Sequence, residues 1–198
     1  MKKLFMLPAL AILFAGCSSP LPENKIIDNN VYNIEDDRSF LLVRIQFENA
    51  FNDVFNYSES TITELVTDPQ LHIDKDNYRI IYSQMDPRFA VMEKCFKDGS
   101  IKIEQSSDDF RIHSSTEEVK NCILSKSNEP INDSAITLLN RTDLFNQLKN
   151  TPPLREKINS YKADGIISIK EYTDIVQTIY SIGAAKKEQK VKDVIKNL

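Results

Sequence analysis

The chain has 198 residues, with 25 Lys and Arg against 29 Asp and Glu and a formal net charge of −4. That length holds one domain, or one domain with a small helical appendage. The acidic balance argues against a general nucleic-acid binder, and 4 Gly with no Trp argue against glycine-rich repeats or a tryptophan-lined sugar platform.

Lys2 and Lys3 precede an apolar run from Leu4 to Ala15. A basic start followed by about a dozen apolar residues has the order of a secretory signal, and the run is short of the roughly 20 residues a spanning helix needs. It ends in Leu13-Phe14-Ala15-Gly16-Cys17, which resembles the lipobox of bacterial lipoproteins. In that family small residues precede an invariant cysteine because the peptidase must approach the backbone closely; Phe14 stands where Leu is usual. The resemblance implies removal of residues 1–16 and acylation of Cys17, with palmitate among the chains. Several chains hold a protein firmly where one is marginal. Ser18 replaces the aspartate associated with inner-membrane retention, which implies an outer-membrane, periplasm-facing address in a Gram-negative cell.

Residues 17–38 read as the lipidated cysteine and a flexible tether. Pro20, Pro22, several Asn and the acidic Glu35-Asp36-Asp37 leave too little apolar surface to order the stretch, although Val31, Tyr32 and Ile34 suit a short edge strand. Without Lys2 and Lys3 the mature part carries about −6 in place of −4.

Residues 39–128 are expected to form a small mixed domain. Phe40, Val43, Phe47, Phe51 and Val54 recur at helical spacing and predict a helix from Ser39 to Tyr57, in competition with a shorter strand-like alternation over 41–47. Tyr78-Arg79-Ile80-Ile81-Tyr82 reads as a strand. Asp86-Pro87 starts a helix, with Asp as N-cap and Pro at the first position, and Gly99 stops it. Ile101–Glu104 and Phe110–His113 pair as a hairpin. Ser115 or Thr116 then caps a helix through Val119, Cys122 and Ile123, with Glu117 and Glu118 in its first turn.

Residues 129–198 read as helical throughout, packing on the first region or forming a small subdomain. Helices are predicted over Ala135–Lys149, Leu154–Tyr161 and Ser168–Ser181; Gly183 ends the third, and Ala184–Leu198 forms a last one. The fold class is therefore α+β, a small mixed region followed by an all-helical C-terminal region.

With Cys17 assigned to lipid, Cys95 and Cys122 remain as a pair in an oxidising compartment, where disulfides form and persist. A bridge would join two helices; the alternative is two buried thiols. Neither cysteine has a histidine near it in sequence, as a catalytic thiol would want.

The segment from Asp164 to Glu171 resembles the second half of an EF-hand loop. The resemblance places Ser160 and Lys162 at the first and third ligand positions, Asp164 at the fifth and Gly165 at the sharp turn. The Ile166 carbonyl takes the seventh position, Ile167 the apolar eighth, Ser168 the ninth and Glu171 the bidentate twelfth. Asp164, Ser168 and Glu171 are thus candidate calcium ligands, but Lys162 supplies an ammonium where an oxygen is needed, and EF-hands usually pair. A plain helix–turn–helix with Ser168 as N-cap accounts for the same residues without any cofactor.

His72 and His113, the only two histidines, lie outside any zinc spacing. No G-x-S-x-G or glycine-rich phosphate loop occurs, and Asp108-Asp109 and Glu117-Glu118 read as turn chemistry and helix-start charge. Lys186, Lys187, Lys190, Lys192 and Lys196 outnumber Glu188 and Asp193, so the tail is a basic amphipathic helix with Val191, Ile195 and Leu198 on one face. Such a helix either touches anionic headgroups or cell-wall polymer or docks on the body with its lysines in solvent. The expectation is a lipid-anchored envelope protein that works without catalysis, binding another envelope component. The alternatives are an envelope hydrolase acting on cell wall or lipid and a calcium-responsive module.

Overall fold

The computed structural model describes residues 40–74, 77–106, 109–161, 163 and 165–196, and the backbone of 25–27. Cys17, Asp164 and the strand expected around Val31, Tyr32 and Ile34 lie outside the described residues. The element order is β1 (Lys25–Ile27), α1 (Leu41–Phe55), α2 (Glu59–Val66), α3 (Tyr78–Met85), α4 (Pro87–Lys97), β2 (Ile103–Ser106) and β3 (Asp109–Ile112), then α5 (Thr116–Lys126), α6 (Asp133–Arg141), α7 (Asp143–Leu148), α8 (Pro152–Tyr161) and α9 (Ile169–Lys196). Helices dominate. The strands form one small antiparallel sheet in the order β1-β2-β3, and only helices follow β3 among the described residues.

The helical spacing prevails in α1. Phe40, Val43, Phe47, Ala50 and Phe51 are buried, and burying each large apolar side chain stabilises by about 1.5–3 kcal/mol. This face lies on β3 and α5. Phe40 stacks on Phe110 at 4.2 Å between ring centroids, and Phe47 meets Phe96 at 6.0 Å. Gln46, from the same helix, accepts a hydrogen bond from the Ile112 N–H at 2.9 Å, which satisfies a donor of the edge strand β3.

The expected hairpin is present, with Ile103 opposite Ile112 and Gln105 opposite Phe110. The strand β1 lies within the stretch read as a tether and pairs with β2, Ile27 opposite Ile103. Its apolar Ile26 and Ile27 are a run of only two in a mostly polar stretch, too short to read as a strand without its partner β2.

Three sequence-based expectations are corrected. Tyr78–Tyr82 is the start of helix α3, not a strand. Its aromatic and branched residues have high strand propensity, but tertiary packing overrides it. Met85 is buried and Ile81 and Tyr82 half-buried on one helical face, and the Tyr78 and Tyr82 rings, four residues apart, lie 5.9 Å apart. The Asp74 and Asn77 side chains each accept from the other's backbone N–H at 2.9 Å, fixing the start.

Residues 135–149 are likewise two helices, broken at Thr142. Thr142 is extended and caps α7, its hydroxyl accepting from the Phe145 N–H at 3.3 Å and donating to the Leu139 carbonyl at 2.8 Å. Asp68, from the 3-10 turn Pro69–Leu71, takes the Leu144 N–H at 3.2 Å. Finally, Gly183 does not stop a helix: α9 runs through it for 28 residues. A single glycine costs a helix about 1 kcal/mol, and Ala184, Ala185 and the Lys, Glu and Gln residues beyond are strong helix formers.

One apolar cluster runs from α1 to α9, and α9 packs on α2, α4, α7 and α8. The C-terminal helices therefore share the core of residues 39–128. Cys95 on α4 and Cys122 on α5 form a disulfide with their Cα atoms 6.0 Å apart. Beside it Lys126 bridges Asp98 at 2.5 Å and Glu129 at 3.1 Å, and Lys94 reaches Glu129 at 2.8 Å. Against the upward pull of desolvation, hydrogen bonds from Lys126 and Ser100 together hold the Asp98 carboxyl down to about 2.

Two stability changes follow. Opening the Cys95–Cys122 loop is expected to cost about 3.5 kcal/mol on the chain-entropy model, measured by denaturant unfolding of the Cys95→Ala/Cys122→Ala protein. Gly183→Ala is expected to stabilise by about 0.5–1 kcal/mol, because the added Cβ would meet Leu144 Cδ1 at an ordinary 3.7 Å; a lowered melting temperature would contradict it.

Candidate functional site

The chain turns sharply between α8 and α9, with Gly165 at φ +78°. A side-chain-bearing residue adopts that angle with strain, so glycine suits the position. The turn is stitched to the segment after α5. Ile131 N–H donates to the Ile167 carbonyl, Ile169 N–H to Glu129 and Lys170 N–H to Ser127, at 2.9, 2.9 and 2.8 Å. Pro130 and Ser168 form an antiparallel bridge. The turn that stood alone in the sequence is thus paired in space.

Ser168 and Glu171 make a capping box at the start of α9. The Ser168 N–H and hydroxyl both donate to Glu171 Oε2 at 2.8 Å, and the Glu171 N–H donates to Ser168 Oγ at 3.3 Å. Two of the three candidate calcium ligands are therefore brought together, but as partners of each other. The paired segment adds no acidic ligand, since the Glu129 carboxylate is held by Lys94 and Lys126. Among the described residues no group of three or more His, Cys, Asp or Glu side chains is arranged to hold a metal ion.

An open cleft of about 600 Å³ lies against this junction, lined by Phe55, Asn128, Tyr161, Glu171, Asp174 and Gln177 among others. Asp174, one turn beyond Glu171, is its most engaged group. Lys157 Nζ donates to both Asp174 oxygens at 2.6 and 2.7 Å, and the Tyr161 hydroxyl donates to Oδ2 at 2.5 Å. Gln177 Nε2 donates to the Phe55 and Asn56 carbonyls at 3.0 and 3.1 Å, closing the C-terminus of α1. Burial, with Asp174 beside it, pushes the Tyr161 phenol up to about 12. Lys157, Tyr161 and Asp174 form one local cluster that ties α8 to α9. In sequence they are separated by a turn, and none stands in a recognisable motif.

A second polar cluster is buried where α3 meets α4. Asp86, extended before Pro87, ends one helix and caps the next, accepting from the Arg88 N–H at 3.0 Å. Arg88 Nε donates to both Asp86 oxygens at 3.1 and 2.9 Å, and Nη2 to Oδ2 at 2.7 Å and to the Tyr82 hydroxyl at 2.8 Å. Its Nη1 lies 3.4 Å from Glu48, and its guanidinium sits 5.5 Å from the Tyr57 ring centroid. Burial pushes the Asp86 carboxyl up against the pull of Arg88. Burial would by itself weaken the Arg88 charge, but Asp86 holds it more firmly protonated than usual. Every hydrogen bond of this pair is made inside the fold, which fits a structural joint between α1, α3 and α4.

The histidines stand apart from both clusters. His113 pairs with Glu104 at 3.0 Å on the exposed side of the hairpin, and His72 ends the 3-10 turn at φ 50°.

The remaining feature is the far half of α9. Ile169, Tyr172, Ile175, Val176, Ile179 and Gly183 are buried, whereas every residue from Ala184 to Lys196 is exposed. Lys187 meets Glu64 on α2. Beyond it Lys192 pairs with Glu188 at 2.6 Å and Gln189 donates to Asp193 at 2.7 Å, both within the helix. Val191, Val194 and Ile195 are 58%, 62% and 64% exposed. The tail is not docked on the body along these residues. At 1.5 Å per residue, 184–196 extends about 20 Å.

The phenol supplies a direct test of the cleft. A raised Tyr161 value means that the neutral phenol is favoured by folding, a contribution present below pH ~10 and lost as pH rises through about 12. In a spectrophotometric titration Asp174→Asn is expected to shift one tyrosine down toward the ordinary 10.0, and Tyr161→Phe to remove that transition. An unchanged titration in Asp174→Asn would contradict the pairing. Compared with known proteins, the chain matches no family, no curated protein and no solved structure.

Proposed function

We propose that the chain is a lipid-anchored cell-envelope protein that acts by binding another envelope component, with the exposed half of α9 as its contact element. The observation that supports this reading is the exposed segment 184–196, held to the body through Lys187 and Glu64, beyond which Val191, Val194 and Ile195 stand in solvent. Single exposed apolar residues are ordinary, but three at positions i, i+3 and i+4 on a projecting helix make a continuous face. The anchor rests on the lipobox resemblance at Cys17. In the cleft the carboxylates of Asp174 and Glu171 are already committed to Lys157, Tyr161 and Ser168, an arrangement that suits joining two helices better than proton transfer. Among the described residues no helix is long and apolar enough to cross a membrane.

Two measurements test the two halves of the proposal. Cys17→Ser is expected to move the protein out of the lipid-modified membrane fraction; an uncleaved chain that still pellets with membranes would overturn the anchor. A photo-reactive side chain at Ile195 is expected to label an envelope component, lipid or protein, in intact envelopes, and one at exposed Glu117 on α5 is not. Equal labelling from both positions would remove α9 as the contact element.

A further inference from the structure

We propose that residues 184–196 of α9 lie on an anionic lipid surface, so that the protein touches the membrane at a second place besides its N-terminus. This rests on the reading of α9 as the contact element and names what it contacts. The argument begins with the helix geometry. At 3.6 residues per turn, Val191, Val194 and Ile195 share one face, and Lys190 and Lys192 project about 100° to either side of Val191. Lysines in those flanking positions lay their aliphatic stems along an apolar phase while the ammonium reaches the headgroups.

Charge complementarity selects the occupant. Residues 184–196 hold five Lys against Glu188 and Asp193, a net +3, whereas the chain without residues 1–16 is about −6 and its remainder therefore about −9. Among the described residues the positive charge is concentrated on a segment that projects. An acidic body would be repelled from an anionic bilayer, but the helix continues for about 14 Å past Lys187, where the body ends, so that along the helix axis Lys192 reaches and Lys196 exceeds the roughly 8 Å over which charge acts at physiological ionic strength.

A second copy of the chain suits the segment less well. A stable protein interface buries about 800 Å² per partner, and this face offers three apolar side chains over little more than one turn. Parallel pairing would also set Lys190 and Lys192 beside their own copies. The segment is too polar to insert across the bilayer, with seven charged residues in thirteen, so it lies in the interface plane.

The experiment uses the full lipidated chain anchored in vesicles, so that attachment is held constant in every arm. An environment-sensitive fluorophore is placed at Val194→Cys on the apolar face, or at Gln189→Cys on the opposite face as control. In phosphatidylcholine vesicles containing phosphatidylglycerol, the position 194 label is expected to shift to the blue and to be quenched by lipid-borne quencher, and the position 189 label is not. The shift is expected to vanish in pure phosphatidylcholine and in high salt. The variant Lys190→Glu/Lys192→Glu is expected to weaken it by about tenfold or more.

Identical emission from position 194 with neutral and anionic vesicles would overturn the proposal. So would a shift that depends on protein density and ignores lipid charge, since that would assign the face to a second copy. If the label reports no lipid while Ile195 still gives a discrete protein adduct in envelopes, the lipid inference falls and the interaction reading stands.

Discussion

Much of this structure depends on where α9 begins. The Ser168–Glu171 capping box and the three backbone bonds from residues 127–131 hold the first turn of that helix in a single place. From there Ile169, Tyr172, Ile175, Val176 and Ile179 enter the core in sequence. A helix set one residue later would rotate that face by about 100° and present polar side chains to α2, α4, α7 and α8. The cleft, the Lys157–Asp174–Tyr161 cluster and the point at which the helix leaves the body all follow from that start.

The segment that holds the turn is itself held at a distance. Glu129 accepts from Lys94 on α4 and Lys126 on α5, and those two helices are joined by the Cys95–Cys122 bridge. At the other end of α4, the Asp86–Arg88 pair fixes its junction with α3 and its approach to Glu48 on α1. Buried pairs of this kind add little net stability over apolar packing, but they are costly to break from one side. The α4 helix is thus pinned at both ends, and through residues 127–131 its position is passed on to α9.

The α9 helix is divided along its length. Its first half is a core element and its second half is a projecting basic helix on an otherwise acidic chain. The ionisable groups of the cleft serve to keep α8 and α9 together. On the proposed reading, it is the basic second half that meets an anionic surface.

The sequence by itself was sufficient for features governed by local chemistry. The Asp86-Pro87 start, a helix cap at Ser115 or Thr116, the stop at Gly99 and the aromatic face of α1 each rest on a few neighbouring residues, and the pairing of Cys95 with Cys122 was the one left open by setting Cys17 aside. Ser168 as an N-cap was also legible, and it accounts for Glu171 without metal. Where an outcome rested on distant contacts, the local pattern misled. The strand-like Tyr78–Tyr82 became helix because Met85 and Tyr82 had a core to enter, and residues 135–149 broke at Thr142 where Asp68 could reach the Leu144 N–H. The cleft cluster was invisible because Lys157, Tyr161 and Asp174 meet only when α8 folds back on α9. The fate of the tail was decided in the same way. Its amphipathic pattern was plain, but whether that face is docked depends on the reach of the body, and the body ends near Lys187 while the helix continues.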